Sequence, residues 1–391
     1  MAEKRQNVVV VGGGWAGTLI ARDLSAKLDA SKYNLILVSD KPYFIHLIAG
    51  ARFTVTAEGK LEDQALVPFD KLFHNGNGSV KIGKVVSVSG RAGEKGGEVV
   101  LEDGERIPYA ALVLATGSSW PGPLDFPSKD ADMRSHLASW RNKYEKANHV
   151  VIVGGGAVGL ETAGEIRDFW PVGYHGIAKS RNGADCDLQK KKVTVVHSEA
   201  QLLNDTYPDK FRRDIERRAR LRGISLILGD KLDIPPEGTV GVTTHNGKQL
   251  PDADLVVPAY GARPNTDFVA SLGESVLTQQ GTVRVDEHLE VLGHPGVFAA
   301  GDIIEWKEQK QAAKAGTHAA VVAANVVSFL EGKPYKKVYK GSYEMILIPL
   351  GRTGGAGYLG FLWGIMLGDF FARLLKAKEL MISQSRAMRG Y

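Results

Sequence analysis

One glycine pattern occurs twice in this chain and constrains its fold more than any other feature. The first copy reads VVVVGGGWAGTLIARDL from Val8 to Leu24, and the second reads HVVIVGGGAVGLETAGEI from His149 to Ile166. In each copy a run of β-type apolar residues precedes G-x-G-x-x-G, and a helical pattern follows it. That context is the one in which the motif binds a dinucleotide, so the chain is predicted to contain two dinucleotide-binding units.

Each glycine of the motif has its own physical role. The first permits the tight strand-to-helix turn, the second lets a diphosphate approach the backbone, and the third lets the helix pack close to the strand. The phosphates then bind free N–H groups at the positive end of the helix. The residues predicted to line the two phosphate sites are Gly12, Gly14, Trp15, Ala16 and Gly17 in the first copy and Gly154, Gly156, Val158 and Gly159 in the second.

The strand after each motif should end near the adenosine ribose. In the first unit this strand is Tyr33 to Asp40, and Asp40 lies 23 residues past Gly17, close to the spacing of an acid that binds ribose hydroxyls. Ser39 is the competing position, one residue earlier.

In the second unit the corresponding strand, Lys192 to Ser198, ends without a carboxylate. His197 and Ser198 stand there instead, so this site need not reject the 2′-phosphate of NADPH. Glu199 could still turn inward, which leaves the choice between NADH and NADPH open.

Further glycine-containing segments follow in a fixed order. They are LVLATG at Leu112–Gly117, LVVPAYGARPN at Leu255–Asn265, GVFAAGDI at Gly296–Ile303 and a helix at about Gln311 to Leu330. With these segments the chain resembles the flavoproteins that have two dinucleotide-binding domains and the glutathione-reductase architecture. The resemblance implies FAD on the first copy and NADH or NADPH on the second, with Asp302 binding the ribityl chain. The other cofactor-contact residues that it implies are Thr116, Gly117, Gly261, Gly301, Gln311 and Ala312.

The predicted fold class is α/β, with two Rossmann-like dinucleotide-binding domains and a small C-terminal α+β segment. The FAD-binding domain is predicted to be discontinuous, at residues 1–120 and 262–332. The NAD(P)H-binding domain is predicted at 121–261, and the C-terminal segment at 333–391.

Cysteine content narrows the chemistry. Cys186 is the only cysteine, so a structural disulfide within the chain and a dithiol relay are both impossible, and a reducing compartment fits best. In the disulfide-reductase members of this architecture, a redox pair lies either where this chain has KPYFIHLIAGARFTV, Lys41 to Val55, or in the second nucleotide domain, and this chain has no pair at either place. Electrons must therefore pass from the flavin to an external acceptor, for which quinone, oxygen and one-electron acceptors are the candidates.

The chain resembles, more narrowly, the apoptosis-inducing-factor-like, mitochondrion-associated group. Within it, the similarity is to NAD(P)H:quinone oxidoreductases of the ferroptosis-suppressor type, near the type II NADH dehydrogenases. The matching segments include LATGS, VTVVHS, VDEHLEVLGHPGVFAAGD and LIPLGRTGGAGYLGF. Departures are Ala2, where the animal member has a myristoylated glycine, and an insert from Pro171 to Lys192 that is predicted to be a surface loop.

The predicted function is FAD-dependent transfer of hydride from NAD(P)H, with the electrons passing to a quinone or other small acceptor. Two alternatives remain: an NADH-sensing signalling flavoprotein with slow turnover, and a biosynthetic flavoprotein oxidoreductase. Arg212 to Arg222 is a basic stretch that is best explained as a solvated helix face, with a nucleic-acid surface as the less favoured account. The pattern predicts neither a metal site nor a Ser-His-Asp arrangement.

Three residues are candidates for the chemistry. By resemblance, Glu161 would accept a hydrogen bond from the nicotinamide carboxamide and orient that ring; an ordinary helix glutamate is the alternative. His46 would line the flavin or quinone cavity, or serve as a structural histidine, and His318 is favoured as a packing residue. Lys340 would contact the quinone, or be a solvated surface lysine.

The basic excess of the chain is confined to its C-terminal end. Residues 331–391 hold ten Lys or Arg against four Asp or Glu, whereas the whole chain carries a net charge of +5. The last 35 residues are also rich in aromatic and Leu/Met side chains. This segment is predicted either to pack on the FAD domain or a second chain, or to contact a membrane surface. The expected location is cytoplasmic, with peripheral contact to a mitochondrial or other intracellular membrane, as a monomer or homodimer.

Overall fold

The computed structural model describes residues 5–90, 92–171, 191–361 and 364–391 of the chain. Most of the insert predicted at Pro171–Lys192, with Cys186, lies outside the described residues. The strands are β1 (Gln6–Val11), β2 (Tyr33–Ser39), β3 (Tyr43–Ile45), β4 (Leu66–Pro68), β5 (Ser79–Ile82), β6 (Val85–Ser89), β7 (Gly97–Leu101), β8 (Arg106–Tyr109), β9 (Ala111–Leu114), β10 (Ser118–Ser119), β11 (His149–Val153), β12 (Lys192–His197), β13 (Ser225–Leu228), β14 (Val242–Thr243), β15 (Gln249–Leu250), β16 (Leu255–Pro258), β17 (Arg263–Pro264), β18 (Val297–Ala299), β19 (Met345–Pro349), β20 (Gly355–Leu359) and β21 (Ile365–Leu367).

The α-helices connect and cover these strands. The last part of the chain also contains one π-helical turn, at Arg373–Ala377. The helices are α1 (Trp15–Lys27), α2 (Gly50–Val55), α3 (Leu61–Ala65), α4 (Asp130–Lys146), α5 (Ala157–Phe169), α6 (Asp209–Leu221), α7 (Ala312–Leu330), α8 (Asp369–Ala372) and α9 (Ile382–Ala387).

Two parallel sheets with the same internal order form the two halves of the molecule. The first has the order β18-β9-β1-β2-β5 and the second β13-β12-β11-β16. In each, the strand before a glycine motif lies between the strand that follows it and a strand from later in the chain. Val8, Val9 and Val10 of β1 are fully buried, as expected for a parallel strand that is covered on both faces.

Helix α7 packs along α1 against the first sheet. It is 19 residues long, and among the described residues only α7 is long and apolar enough to cross a membrane, although 56% of its most apolar window is buried in the protein. The core helix of a soluble protein meets the same criteria, and the contacts of α7 are those of a core helix. Ala315, Ala319 and Val322 belong to the same apolar cluster as β1.

The C-terminal segment joins the two halves. Its antiparallel sheet, β19-β20-β21, packs on α5 and α6 of the second half. Ile348 and Ala356 share an apolar cluster with that half, whereas Leu380 and Ile382 cluster with Phe53 of α2. The segment therefore packs on the protein, in agreement with one of the two predictions for it. The domain limits drawn from the sequence remain predictions.

Candidate functional site

The first glycine loop, between β1 and α1, is closely packed on one side and open on the other. Gly12 has φ +115°, and a Cβ there would lie 2.3 Å from the Ala115 carbonyl oxygen. A Cβ on Gly17 would lie 1.9 Å from the Gly12 oxygen, whereas a Cβ on Gly14 would meet nothing within 4 Å. Only glycine fits at positions 12 and 17, whereas Gly14 leaves its face free for a ligand.

The second loop, between β11 and α5, has the same geometry. Gly154 has φ +124°, and a Cβ there would lie 2.4 Å from the Ala259 oxygen. A Cβ on Gly159 would lie 1.9 Å from the Gly154 oxygen, and again nothing lies within 4 Å of a Cβ on Gly156.

Both loops fit the diphosphate of a dinucleotide. Gly14 and Gly156 are the N-terminal capping residues of α1 and α5, and no side chain caps either helix. The free N–H groups of each helix therefore face the open side of its loop, where the helix dipole favours an anion. Trp15 and Ala16 form the start of α1, and Val158 lies in the first turn of α5.

Ser39 and Asp40, at the end of β2, have different exposures and hydrogen-bond partners. The Ser39 hydroxyl is buried and donates to the Lys41 carbonyl at 2.8 Å. Asp40 is exposed, lies 2.6 Å from the Lys41 ammonium, and accepts a 2.7 Å hydrogen bond from Ser128. Partial burial alone would raise the pKa of Asp40, but Lys41 and Ser128 outweigh it and lower the pKa. Asp40 is therefore the ionised, accessible group of the pair, and Ser39 supports the loop beside Gly13.

His197 at the end of β12 occupies the position that corresponds to Ser39. The Gly155 N–H donates to its Nδ1 at 3.1 Å, and its Nε2 lies 3.1 Å from the Leu203 carbonyl oxygen. Both ring nitrogens are therefore used within the protein, and His197 holds the loop in place. Ser198, the position corresponding to Asp40, is exposed.

The two segments in which the chain passes from one half of the molecule to the other are hydrogen-bonded to each other. Thr116 donates its hydroxyl to the Asn265 carbonyl at 2.6 Å, and Asn265 returns a side-chain hydrogen bond at 3.1 Å. Next to them, β10 pairs with β17. Gly117 and Gly261 both have positive φ, at +63° and +33°, and open space around the position of a Cβ.

Asp302 lies at the turn after β18. Ser118 donates its hydroxyl to the Asp302 carboxylate at 3.1 Å. Burial raises the pKa of this carboxyl, while the Ser118 hydrogen bond and the positive charge of Lys310 oppose that rise. A partly buried carboxylate with one hydroxyl partner retains acceptor capacity for a ligand's hydroxyl groups.

His318 fixes the backbone of that turn. The Gly301 N–H donates to His318 Nδ1 at 3.1 Å, so the ring proton is on Nε2, which lies 2.8 Å from Glu308. Tyr339 donates to the same carboxylate at 2.6 Å and stacks edge-on against the imidazole at 4.5 Å. The prediction of a packing role for His318 agrees with this arrangement.

Helix α7 begins near the same turn. Gln311 caps it from an extended backbone and donates its side-chain amide to Tyr207 at 3.0 Å, and Ala312 is the first helical residue. The N-terminal capping residue makes no side-chain hydrogen bond to the helix, so the positive end of α7 keeps free N–H groups.

Glu161 lies in the second turn of α5 and forms an ion pair with a lysine that the sequence analysis did not single out. Its carboxylate lies 2.7 Å from Lys376 Nζ, which also donates to the Leu347 carbonyl at 2.9 Å. Both side chains are 14% exposed. Lys340, the predicted acceptor-side lysine, is exposed on the surface. The basic excess of the C-terminal segment was the only sequence signal for Lys376.

Glu165, one turn further along α5, has a structural role. Arg52 of α2 holds it with two 2.8 Å hydrogen bonds, and both side chains are almost fully buried. Arg52 also donates to the carbonyls of Ala377 and Lys378. Burial raises the pKa of Glu165, while Arg52 lowers it. This ion pair joins both halves to the C-terminal segment.

His46 is fully buried below the first loop. Its Nε2 donates to the Leu380 carbonyl at 2.7 Å, and its ring lies 5.8 Å from Trp15. Burial lowers its pKa to about 4, with the positive charges of Arg389 and Lys376 adding to the effect. A neutral histidine with this hydrogen bond supports the site from below, and its Nδ1 has no hydrogen-bond partner.

The basic stretch of α6 is largely neutralised within the protein. Arg218 and Arg222 bind Asp369 of α8, at 2.5 and 2.9 Å, and Arg220 pairs with Glu216. No cluster of residues suited to a metal ion occurs among the described residues.

The comparisons with known proteins agree with this geometry. Residues 6–321 match the family of pyridine nucleotide-disulphide oxidoreductases. The chain belongs to this family. An FAD-dependent oxidoreductase of Flammulina velutipes is 46% identical over 86% of this chain and 98% of that relative. Ferroptosis suppressor protein 1 of Xenopus laevis is 30% identical over 98% of this chain and 96% of its own length.

A solved sulfide:quinone oxidoreductase from Aquifex aeolicus superposes with a TM-score of 0.76 at 19% identity, over 98% of this chain and 92% of that one. At this identity the likeness concerns the fold. The predicted α/β fold class, the oxidoreductase activity, the cofactors FAD and NAD(P)H and the resemblance to ferroptosis suppressor proteins are confirmed. The family name refers to a disulfide, which the sequence of this chain cannot form internally because it has one cysteine.

Proposed function

We propose that the protein oxidises NADH or NADPH at the second glycine loop, holds FAD at the first, and delivers the electrons to a lipid-soluble quinone. When bound, FAD supplies the two-electron chemistry between donor and acceptor. The residues of the chain bind and orient the partners. Asp40 and Asp302 would accept hydrogen bonds from ribose and ribityl hydroxyls, and the start of α7 would add its positive end.

Glu161 is the proposed nicotinamide-orienting residue. It lies five residues past Gly156 on α5, the helix that begins at the second loop, so a nucleotide bound at that loop would extend along this helix. Lys376 holds the carboxylate in one position while leaving an oxygen free to accept from a carboxamide N–H. Such positioning accelerates a transfer by holding the reacting groups close together.

The exposed leucines of one helical turn in the C-terminal segment favour a lipid-soluble quinone as the acceptor. In the π-helical turn Arg373–Ala377, Leu374 and Leu375 are 67% and 51% exposed, whereas the next residue, Lys376, reaches inward to Glu161. An apolar outer surface and the inner site therefore belong to the same turn of chain. A quinone dissolved in lipid could reach the site at this turn without crossing the rest of the protein.

The same surface supports peripheral attachment to an intracellular membrane. Phe370 and Phe371 are 72% and 49% exposed beside the two leucines, which is unusual for an apolar group that stays in water. Arg373 and Lys378 flank this apolar patch, and both are exposed. An exposed apolar patch with basic residues around it binds anionic lipid surfaces.

The acceptor is tested by steady-state NADH and NADPH oxidation with and without a short-chain ubiquinone. Quinone should raise turnover far above the rate with oxygen alone. If the flavin is reduced rapidly and quinone leaves turnover unchanged, hydride transfer remains valid and the quinone proposal is wrong.

The membrane surface is tested with vesicles that contain anionic lipid and long-chain ubiquinone. The double variant Phe370→Asp/Leu374→Asp should lose sedimentation with vesicles and turnover with the long-chain quinone, but keep turnover with the short-chain one. Val240→Asp is the matched control, because Val240 is 69% exposed in the second half. Equal vesicle binding by all three proteins would contradict membrane attachment through this patch.

A further inference from the structure

Arg389, the third residue from the C-terminus, is the largest fully buried side chain among the described residues, at 1% exposure. It donates from Nε to the Thr18 hydroxyl at 3.1 Å, and from Nη1 to the Ser385 carbonyl at 2.8 Å and the Ser385 hydroxyl at 3.1 Å. All three acceptors are neutral, and Nη2 has no hydrogen-bond partner. Burial lowers the pKa of the guanidinium to about 9, so it is still charged at neutral pH.

The charged groups near Arg389 do not neutralise it. His46 is uncharged at neutral pH, and Lys376, which together with Arg389 lowers the pKa of His46, is positive. No ion pair of the described residues includes Arg389. Burying a charge without a counter-charge destabilises the folded protein. The cation–π contact with Phe44, at 3.3 Å from guanidinium carbon to ring centroid, offsets only part of that cost.

Arg389 also lies at the unfavourable end of a helix for a cation. Its guanidinium carbon is 4.9 Å from the ring centroid of Trp15, the first residue of α1. The hydroxyl that it contacts, on Thr18, donates in turn to the Gly14 carbonyl at 2.8 Å. A positive charge near a positive helix end is destabilising unless an anion lies there too.

We propose that Arg389 strengthens FAD binding through its charge: the end of the chain buries this guanidinium beside the first glycine loop, where it balances the negative charge of the bound cofactor. Three observations point to this ligand: the unpartnered Nη2, the missing counter-charge, and the hydrogen-bonded link through Thr18 to the carbonyl of Gly14, the residue that begins α1 beside the open side of the loop. The inference rests on FAD as the occupant of the first loop.

Coupling between the cofactor and the chain end follows from this charge interaction. If FAD binds more tightly when Arg389 is seated, bound FAD must stabilise the seated C-terminal residues by the same factor, because binding linkage is reciprocal. Other contacts of the chain end are independent of the loop. Arg386 donates to the Gln64 carbonyl at 3.1 Å, and the Tyr391 hydroxyl bonds to Asp70.

The test compares Arg389→Gln, Arg389→Lys and the matched control Arg386→Gln in the full-length protein. Flavin is removed, and FAD affinity is measured by fluorescence titration of the apoprotein. Arg389→Gln should weaken FAD binding by about tenfold to a hundredfold, as the loss of a nearby buried positive charge would. Arg389→Lys should recover part of the affinity, and Arg386→Gln should stay within about threefold of the wild type.

Hydrogen exchange of residues 382–391 with and without FAD gives a readout that is independent of activity. FAD should slow exchange there in the wild-type protein and in Arg386→Gln, but not in Arg389→Gln. The inference is wrong if Arg389→Gln binds FAD with wild-type affinity, or if it lowers the melting temperatures of the apoprotein and the holoprotein equally. A wild-type protein that binds no flavin would overturn the proposed function as well.

Discussion

The two glycine loops have almost the same backbone but different surroundings. The Gly12 N–H donates to the Val38 carbonyl at 2.8 Å, and the Gly154 N–H donates to the Val196 carbonyl at the same distance. This match aligns Asp40 with Ser198. We therefore propose that the glycines set the shape of each diphosphate site, whereas the residue at the end of the next strand and the groups from the C-terminal segment determine what each site binds.

The open glycines provide the largest predicted effects. Gly14 and Gly156 have extended backbones, with φ −81° and −77°, and a Cβ there would contact nothing in the protein. Alanine should therefore be tolerated by the fold but occupy the space of the ligand. Gly14→Ala should give a folded protein with little flavin. Gly156→Ala should stay yellow, with its KM for NAD(P)H raised about tenfold to a hundredfold.

Absorbance of the purified variants and stopped-flow reduction separate these outcomes, and circular dichroism checks the fold. Loss of flavin in both variants, or in neither, would show that the two loops do not hold different cofactors.

The ion pair of Glu161 and Lys376 should give the next largest effect. Glu161→Gln and Lys376→Met should each slow flavin reduction by NADH about tenfold, because each removes the fixed position of the carboxylate. The double variant should be less than additive, with a coupling of about 1 kcal/mol for a partly buried pair. The measurement is the reduction rate at saturating NADH.

Lys378→Met is the matched control, since Lys378 is exposed and, within the described part of the chain, its ion-pair partner is Glu379 at 3.5 Å. Full additivity of Glu161→Gln and Lys376→Met would mean that the two side chains act independently, against the proposed positioning role.

The sequence predicted the loops well and the contacts between distant segments poorly. The glycine spacing is a local pattern, and each backbone constraint acts within a few residues of it. Lys376 meets Glu161 across 215 residues, and Arg52 meets Glu165 across 113. No periodicity encodes such contacts. Resemblance offered Lys340 as an acceptor-side lysine, with a solvated surface lysine as the alternative, and Lys340 is exposed.

The roles of the predicted histidines could also be assigned only from the three-dimensional structure. His197 was proposed from its place at a strand end, yet both of its nitrogens hold the loop. Whether a polar side chain faces a ligand or its own backbone depends on the turn that follows it.

The alignment of Asp40 with Ser198 gives a third prediction. Ser198→Asp would place in the second unit the carboxylate that the first unit has. It should favour the ribose of NADH and repel the 2′-phosphate of NADPH, moving the ratio of kcat/KM for NADH over NADPH by about tenfold toward NADH. A neutral substitution, Ser198→Asn, is the control for size. An unchanged ratio would mean that another residue, such as Glu199, lies next to the ribose.

The smallest predicted effect is a pH dependence of stability caused by His46, which lies next to the first loop and donates a hydrogen bond to the C-terminal segment. Burial lowers the pKa of His46 to about 4, whereas an unfolded histidine titrates near 6.5. Between these values the unfolded chain binds more protons, so stability is complete above about pH 6.5 and falls as the pH drops toward 4. The loss of stability that His46 causes should reach about 2 kcal/mol at pH 5.

His46→Gln, which has no charge to gain, should lose correspondingly less stability between pH 7 and pH 5, whereas exposed His74→Gln should follow the wild type. Urea unfolding with excess FAD measures the difference. Parallel losses in all three proteins would mean that His46 is protonated without unfolding, and that the C-terminal segment can move away from the first loop.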